Sequence, residues 1–107
     1  MSRKPRLFVA GGFYHVVLRG NGRADIFFED DDREKWQSLL QRGLNRYGHR
    51  LHEFFWMTNL VHMLMQAGDI PLSTFLGALA GTYARSINAR NERVGLLFER
   101  RYRASLV

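Results

Sequence analysis

The chain has 107 residues, 46% of them hydrophobic and 13% aromatic, which suits one domain with a single modest core and excludes a disordered chain. No apolar run approaches the roughly 20 residues of a membrane-spanning helix, the basic start MSRKPRLFVAGGFYH has too short an apolar stretch for a secretory signal, and the lack of cysteine excludes disulfides and thiolate metal sites, so a cytoplasmic protein is expected. The formal charge is +6 and fourteen of the sixteen basic residues are arginine, whose planar fork pairs with phosphate oxygens, so the balance points to a nucleic-acid partner.

In chain order, FYHVVLRG (13–20) is β-branched and aromatic and ends at a turn-like GNG, which predicts a strand. The acidic run EDDDREKW follows, where Asp31 and Glu34 have the spacing of a capping box. Trp36, Leu39, Leu40, Leu44 and Tyr47 recur at helical spacing up to Gly48, predicting a first helix over 31–47. HRLHEFFWM (49–57) and LVHMLMQA (60–67), separated by Thr58-Asn59, read as a hairpin. Pro71 opens a second helix whose Leu72, Phe75, Leu76, Leu79, Tyr83 and Ile87 form one apolar stripe, and the polar NARNERVG ends it. RYRASLV (101–107) reads as a last strand. Between residues 85 and 103 six arginines stand against Glu92 and Glu99, a basic stripe that is either a solvated face or a binding surface. The order β-α-β-β-α-β predicts an α+β, ferredoxin-like domain over residues 1–107, a four-stranded antiparallel sheet with two helices on one face.

Strand alternation then sorts the side chains. Tyr14, Val16 and Leu18, with Leu51, Phe55 and Met57 and with Val61, Met63 and Met65, are expected under the helices. His15, His52 and His62 then share the other face with Phe54, Trp56 and Arg19. Such a face is too apolar to stay bare and calls for a cover: a further helix, a second copy of the chain, or nucleic acid.

The stretches FYHVVLRGN, RLHEFFWMTNLVHMLM and RVGLLFERRYRASLV resemble, in order and in register along nearly the whole chain, the REP-associated tyrosine transposases, single-tyrosine members of the HUH transposases. The resemblance implies the ferredoxin-like fold and metal-dependent cutting and rejoining of single-stranded, hairpin-bearing DNA through a 5′-phosphotyrosine link. HUH denotes histidine, hydrophobic residue, histidine on one strand, where the period of two turns both imidazoles toward one metal ion. The family stretch M-P-N-H-U-H appears as Met57-Thr58-Asn59-Leu60-Val61-His62. His62 thus corresponds to the second metal ligand, and Leu60 occupies the place of the first. The family implies Mg²⁺ or Mn²⁺, which prefer oxygen ligands and gain little from one imidazole. His15 could substitute only if the strand register brought it beside His62; otherwise His15 and His52 are structural or meet the covering element. The resemblance places the nucleophilic tyrosine on a helix beyond Val107, so no tyrosine of this chain carries over to that role. Tyr83, Tyr14 and Tyr47 read as packing residues.

Arg19-Gly20-Asn21 matches the family's R-G-N, and Arg101-Tyr102-Arg103 its G-R-Y-K with Arg100 in the glycine's place. The resemblance makes Arg19, Asn21, Arg101, Tyr102 and Arg103 candidate DNA contacts, by phosphate pairing and base stacking. The expected function is a DNA-binding transposase domain, catalytically impaired by Leu60. Two alternatives stand beside it: a non-catalytic module that stacks single-stranded bases on Phe54 and Trp56, and an inactive homodimer whose second copy covers the open face.

Overall fold

The computed structural model describes residues 8–107. The basic residues 1–7, with Lys4, lie outside the described residues. Four strands, β1 (Phe13–Arg19), β2 (Arg50–Met57), β3 (Leu60–Gln66) and β4 (Arg103–Leu106), form one antiparallel sheet in the order β2-β3-β1-β4. Helices α1 (Asp30–Tyr47) and α2 (Leu72–Arg90) pack on one face of it. This is the expected α+β, ferredoxin-like arrangement. Among the described residues no helix is long and apolar enough to cross a membrane.

Beneath the helices the alternation of β1 and β3 holds as expected. Tyr14, Val16, Leu18, Val61, Met63 and Met65 are all buried, and Phe75, Leu76, Leu79, Tyr83 and Ile87 of α2 close over them. Strand β2 departs from simple alternation. Leu51 pairs with Met65, but Glu53 pairs with Leu64, so a bulge at His52 inserts one residue. A bulge sets two residues against one and inverts the alternation beyond it. Phe54 and Trp56 therefore align with Met63 and Val61 on the helix side, while Phe55 aligns with His62 on the open side. The assignment of Phe54 and Trp56 to the open face is thus corrected, and so is that of Phe55 and Met57 to the core. Trp56 packs against the core, its ring 5.8 Å from that of Phe27.

The first helix begins earlier than its acidic run suggested. Its N-cap is Glu29, not Asp31, and the carboxylate of Asp32 accepts the backbone amides of Phe28 at 2.7 Å and Glu29 at 2.9 Å. Asp32 is fully buried and pairs with Arg90 at the end of α2, so one carboxylate satisfies a helix start and ties the two helices together. Burial acts to raise its pKa, but the two amides and Arg90 outweigh it and hold the carboxyl below its ordinary value. Gly48 ends α1 in the left-handed conformation, at φ 74°. The final strand is shorter than the expected 101–107.

Ile26 and Phe27, in the connection before α1, are buried although no periodic pattern marks them. Their backbone is fixed by the hairpin turn, where the Thr58 carbonyl accepts Ile26 N–H at 2.7 Å. Tyr83 supplies the second fixing point, its hydroxyl donating to the Ile26 carbonyl at 2.7 Å in the core. Its ring meets Trp36 edge-on at 5.2 Å. Burial, with Asp32 nearby, drives the phenol well above its ordinary pKa, so it stays a neutral donor and is core, as its place on the apolar stripe implied. Tyr83→Phe is expected to cost about 1–2 kcal/mol by leaving that carbonyl unpaired. A urea midpoint shifted without a change of slope is the expected sign.

Candidate nucleic-acid interface

The register lays the open face out in rows. One row across the strands reads Phe55, His62, Val17, Arg103, and the next Met57, Leu60, Arg19. A third reads Glu53, Leu64, His15, Ser105. Arg19 and Arg103 thus share a face with His62 and stand diagonally across the β1–β4 pair. Phe55 and Met57, 54% and 55% exposed on the edge strand β2, make the other side of that face apolar.

The loop carrying Asn21 is held rather than free. Gly20 N–H donates to the Asn59 carbonyl at 2.9 Å, Asn21 N–H to the Leu97 carbonyl at 2.8 Å, and Glu99 N–H to the Arg19 carbonyl at 2.8 Å. Gly20 also bridges Phe98. A Cβ at position 20 would collide with the Ala24 carbonyl oxygen, so only glycine permits this approach. The loop, the hairpin turn and the segment before β4 therefore meet at one end of the sheet, because Leu97 and Phe98 are buried there. An open groove at that end is lined by Asn21, Leu96, Glu99, Arg100, Arg101, Tyr102 and Arg103.

The expected DNA contacts are thus brought together with one division. Arg19 and Arg103 lie on the open face, Asn21 and Arg101 are exposed at its end, and Tyr102 is half-buried against the core. Tyr102 also lines a second groove, with Tyr14, Leu72 and Ala104 on the helix side. Phe55 was missed as a candidate because the bulge that turns it outward carries no glycine or proline.

All three histidines expected on the open face are there. His52 hydrogen-bonds Gln66 at 3.1 Å and its ring lies 5.1 Å from that of Phe13. The His62 ring stacks on Phe55 at 4.9 Å and lies 5.3 Å from the ring of His15. Leu60, half-buried beside Arg19, offers no ligand atom. Among the described residues no group of three or more His, Cys, Asp or Glu side chains is placed to hold a metal ion. A hard ion such as Mg²⁺ or Mn²⁺ seeks about six oxygen ligands, and the residues around His62 do not fit one.

His49, the fourth histidine, is core. It is 5% exposed, its Nδ1 accepts the Gly68 amide at 2.9 Å, and burial lowers its pKa.

Together these features define a ferredoxin-like domain with a basic sheet end and a histidine-bearing open face. The family model described as "Transposase IS200 like" matches residues 9–107. The chain belongs to that family. Its fold is shared with a REP-associated tyrosine transposase solved bound to a REP hairpin, at a TM-score of 0.80 and 11% identity over 100% of this chain. The chain spans 62% of the length of that transposase. A protein of Deinococcus radiodurans R1 described as a transposase aligns at a TM-score of 0.72 and 22% identity, over 99% of this chain and 86% of that one. No curated protein matches the sequence significantly.

Proposed function

We propose that this transposase-family domain binds single-stranded, hairpin-bearing DNA across the open sheet face and is impaired in metal-dependent strand cleavage. The observation that carries the reading is the placement of Arg19 and Arg103 on the same open face as the exposed Phe55, with His62 and Val17 between Phe55 and Arg103. Arginines hold phosphates while the aromatic ring takes a base, a pairing that binds single strands with little sequence preference. Asn21 and Arg101 extend the contact around the end of the sheet, where a hairpin stem would meet the loop. The hairpin-bound structure of the REP-associated transposase supports the choice of ligand.

The impairment rests on Leu60. One imidazole in place of two leaves Mg²⁺ or Mn²⁺ without the pair of ligands that the HUH arrangement supplies, so a hairpin oligonucleotide with either ion is expected to remain uncut. Robust nicking by this chain would overturn that half of the reading. Leu60→His is expected to raise Mn²⁺ affinity at least tenfold, since removing even a supporting partner of a ligand costs about 10–100-fold.

Binding is tested separately. A hairpin oligonucleotide is expected to bind with micromolar or tighter Kd, weakening with a log–log salt slope of about 2–3.5 for three to five phosphate contacts. Phe55→Ala is expected to weaken it by about 1–3 kcal/mol through lost stacking, whereas Phe54→Ala, on the helix side, leaves it unchanged. Fluorescence anisotropy at two salt concentrations reads both effects. Binding that ignores salt, together with a dimer on gel filtration that Phe55→Ala breaks, would instead assign the face to a second copy.

A further inference from the structure

Two imidazoles on neighbouring strands meet on the open face without the help of position 60. His62 pairs across the sheet with Val17, and His15 with Leu64, so the two histidines are diagonal neighbours on one face. Their ring centroids lie 5.3 Å apart with the planes inclined by 35°. A metal–nitrogen bond of about 2.0–2.1 Å puts each ring centroid about 3.2 Å from a shared ion, and an open tetrahedral angle then separates the centroids by about 5.2 Å. The observed centroid spacing matches that of two imidazoles on one tetrahedral ion.

The surroundings support the pair. Phe55 stacks on the His62 ring at 4.9 Å and limits its rotation. Among the described residues neither imidazole is engaged in a hydrogen bond or an ion pair, in contrast to His52 and His49. The backbone beneath is a regular antiparallel ladder, so the spacing is set by the sheet rather than by a loop.

We propose that His15 and His62 form a two-imidazole site for a borderline divalent transition ion, such as Cu²⁺, Ni²⁺ or Zn²⁺. Neutral imidazole suits these ions and does little for Mg²⁺. With two protein ligands, such an ion keeps open positions that face outward alongside Arg103 and Arg19. A phosphate oxygen or water can complete the set there. The site shares His62 with the histidine pair implied on β3 but takes its second ligand, His15, from β1 and differs in metal class, and it does not depend on DNA binding.

The test uses the whole chain without DNA, titrated with NiSO₄ and CuSO₄ by calorimetry in the presence of excess MgCl₂. One ion per chain is expected, tighter for Cu²⁺ than for Ni²⁺, undisturbed by Mg²⁺. His15→Ala and His62→Ala are each expected to weaken binding at least tenfold, while His52→Ala on the same face leaves it unchanged. The Cu²⁺ complex should show two equivalent nitrogen couplings in its electron paramagnetic resonance spectrum, reduced to one in either variant. The circular dichroism of each variant checks the fold. Should a variant unfold, the nitrogen couplings of the unaltered chain decide the matter alone. Binding that survives His15→Ala, that falls equally with His52→Ala, or that shows a single nitrogen overturns the site.

Discussion

Asp32→Ala is expected to lower the stability of the domain by about 2–3 kcal/mol. The carboxylate accepts two backbone amides at the start of α1 and pairs with Arg90 at the end of α2, and it does so from a fully buried position. Removing it leaves two amides unpaired and Arg90 with only its longer contact to Glu29, at 3.8 Å. A fully buried ion pair broken from one side costs about 3–5 kcal/mol; the Arg90 side chain is 40% exposed, so water takes up part of the loss and the lower figure follows. Asp32→Asn keeps an acceptor of the same shape and is expected to cost about half as much. The acid side of the stability curve carries the same signature. The folded-state pKa of Asp32 lies below its ordinary 3.8, so the unfolded chain takes up that proton first. Its contribution is full above that value and is lost as the pH falls through the folded one. His49 acts earlier in the same direction. Its folded pKa lies below 6.5, so its contribution is full above 6.5 and declines as the unfolded chain becomes protonated below it. Urea midpoints are therefore expected to fall in two stages on acidification. Asp32→Ala should flatten the lower stage and spare the upper; a flat profile in the unaltered chain would remove both groups from the account.

The fold was legible because its signals are periodic. The stripe from Leu72 to Ile87 and the alternation of β1 and β3 each fix a buried face with no outside information. Three features were not legible, each for a physical reason. The bulge at His52 is decided by how β2 settles against its partner, and no glycine or proline announces it, so Phe54, Phe55 and Trp56 were assigned to the wrong faces. Ile26 and Phe27 are buried in a connection, where no period exists to reveal them; only their contacts with Thr58 and Tyr83 do so. The third is the start of α1. Four consecutive acidic residues offer several capping frames, and the frame with Glu29 as N-cap and Asp32 three residues on is fixed because Arg90, distant in sequence, arrives beside Asp32. At the site, the sequence placed His15, His52 and His62 on one face but could not say which two meet. That depends on the diagonal pairing of β1 and β3 and on Phe55, which pins one ring.

The double replacement Arg19→Ala/Arg103→Ala is expected to weaken hairpin DNA binding about 100-fold and to lower the log–log salt slope by about 1.4. A charge-assisted contact at a partly hydrated site contributes about 1.4 kcal/mol, or tenfold, and each lost single-strand phosphate contact removes about 0.7 from the slope. The decisive comparison is a second double variant, Arg42→Ala/Arg46→Ala. Both of those arginines are exposed on α1, in the helical layer, and their loss changes the net charge of +6 by the same two units. If the domain attracts DNA by overall charge alone, the two variants weaken binding equally. If the strand lies across the sheet, only the first does, because at physiological salt a charge beyond about 8 Å of the phosphate is largely screened. The separation of the two variants should narrow as salt is raised, by about 1.4 log units per decade, since Arg42→Ala/Arg46→Ala keeps the steeper slope of the intact contact set. Equal losses at every salt concentration would place the DNA elsewhere and leave the open face to a protein partner.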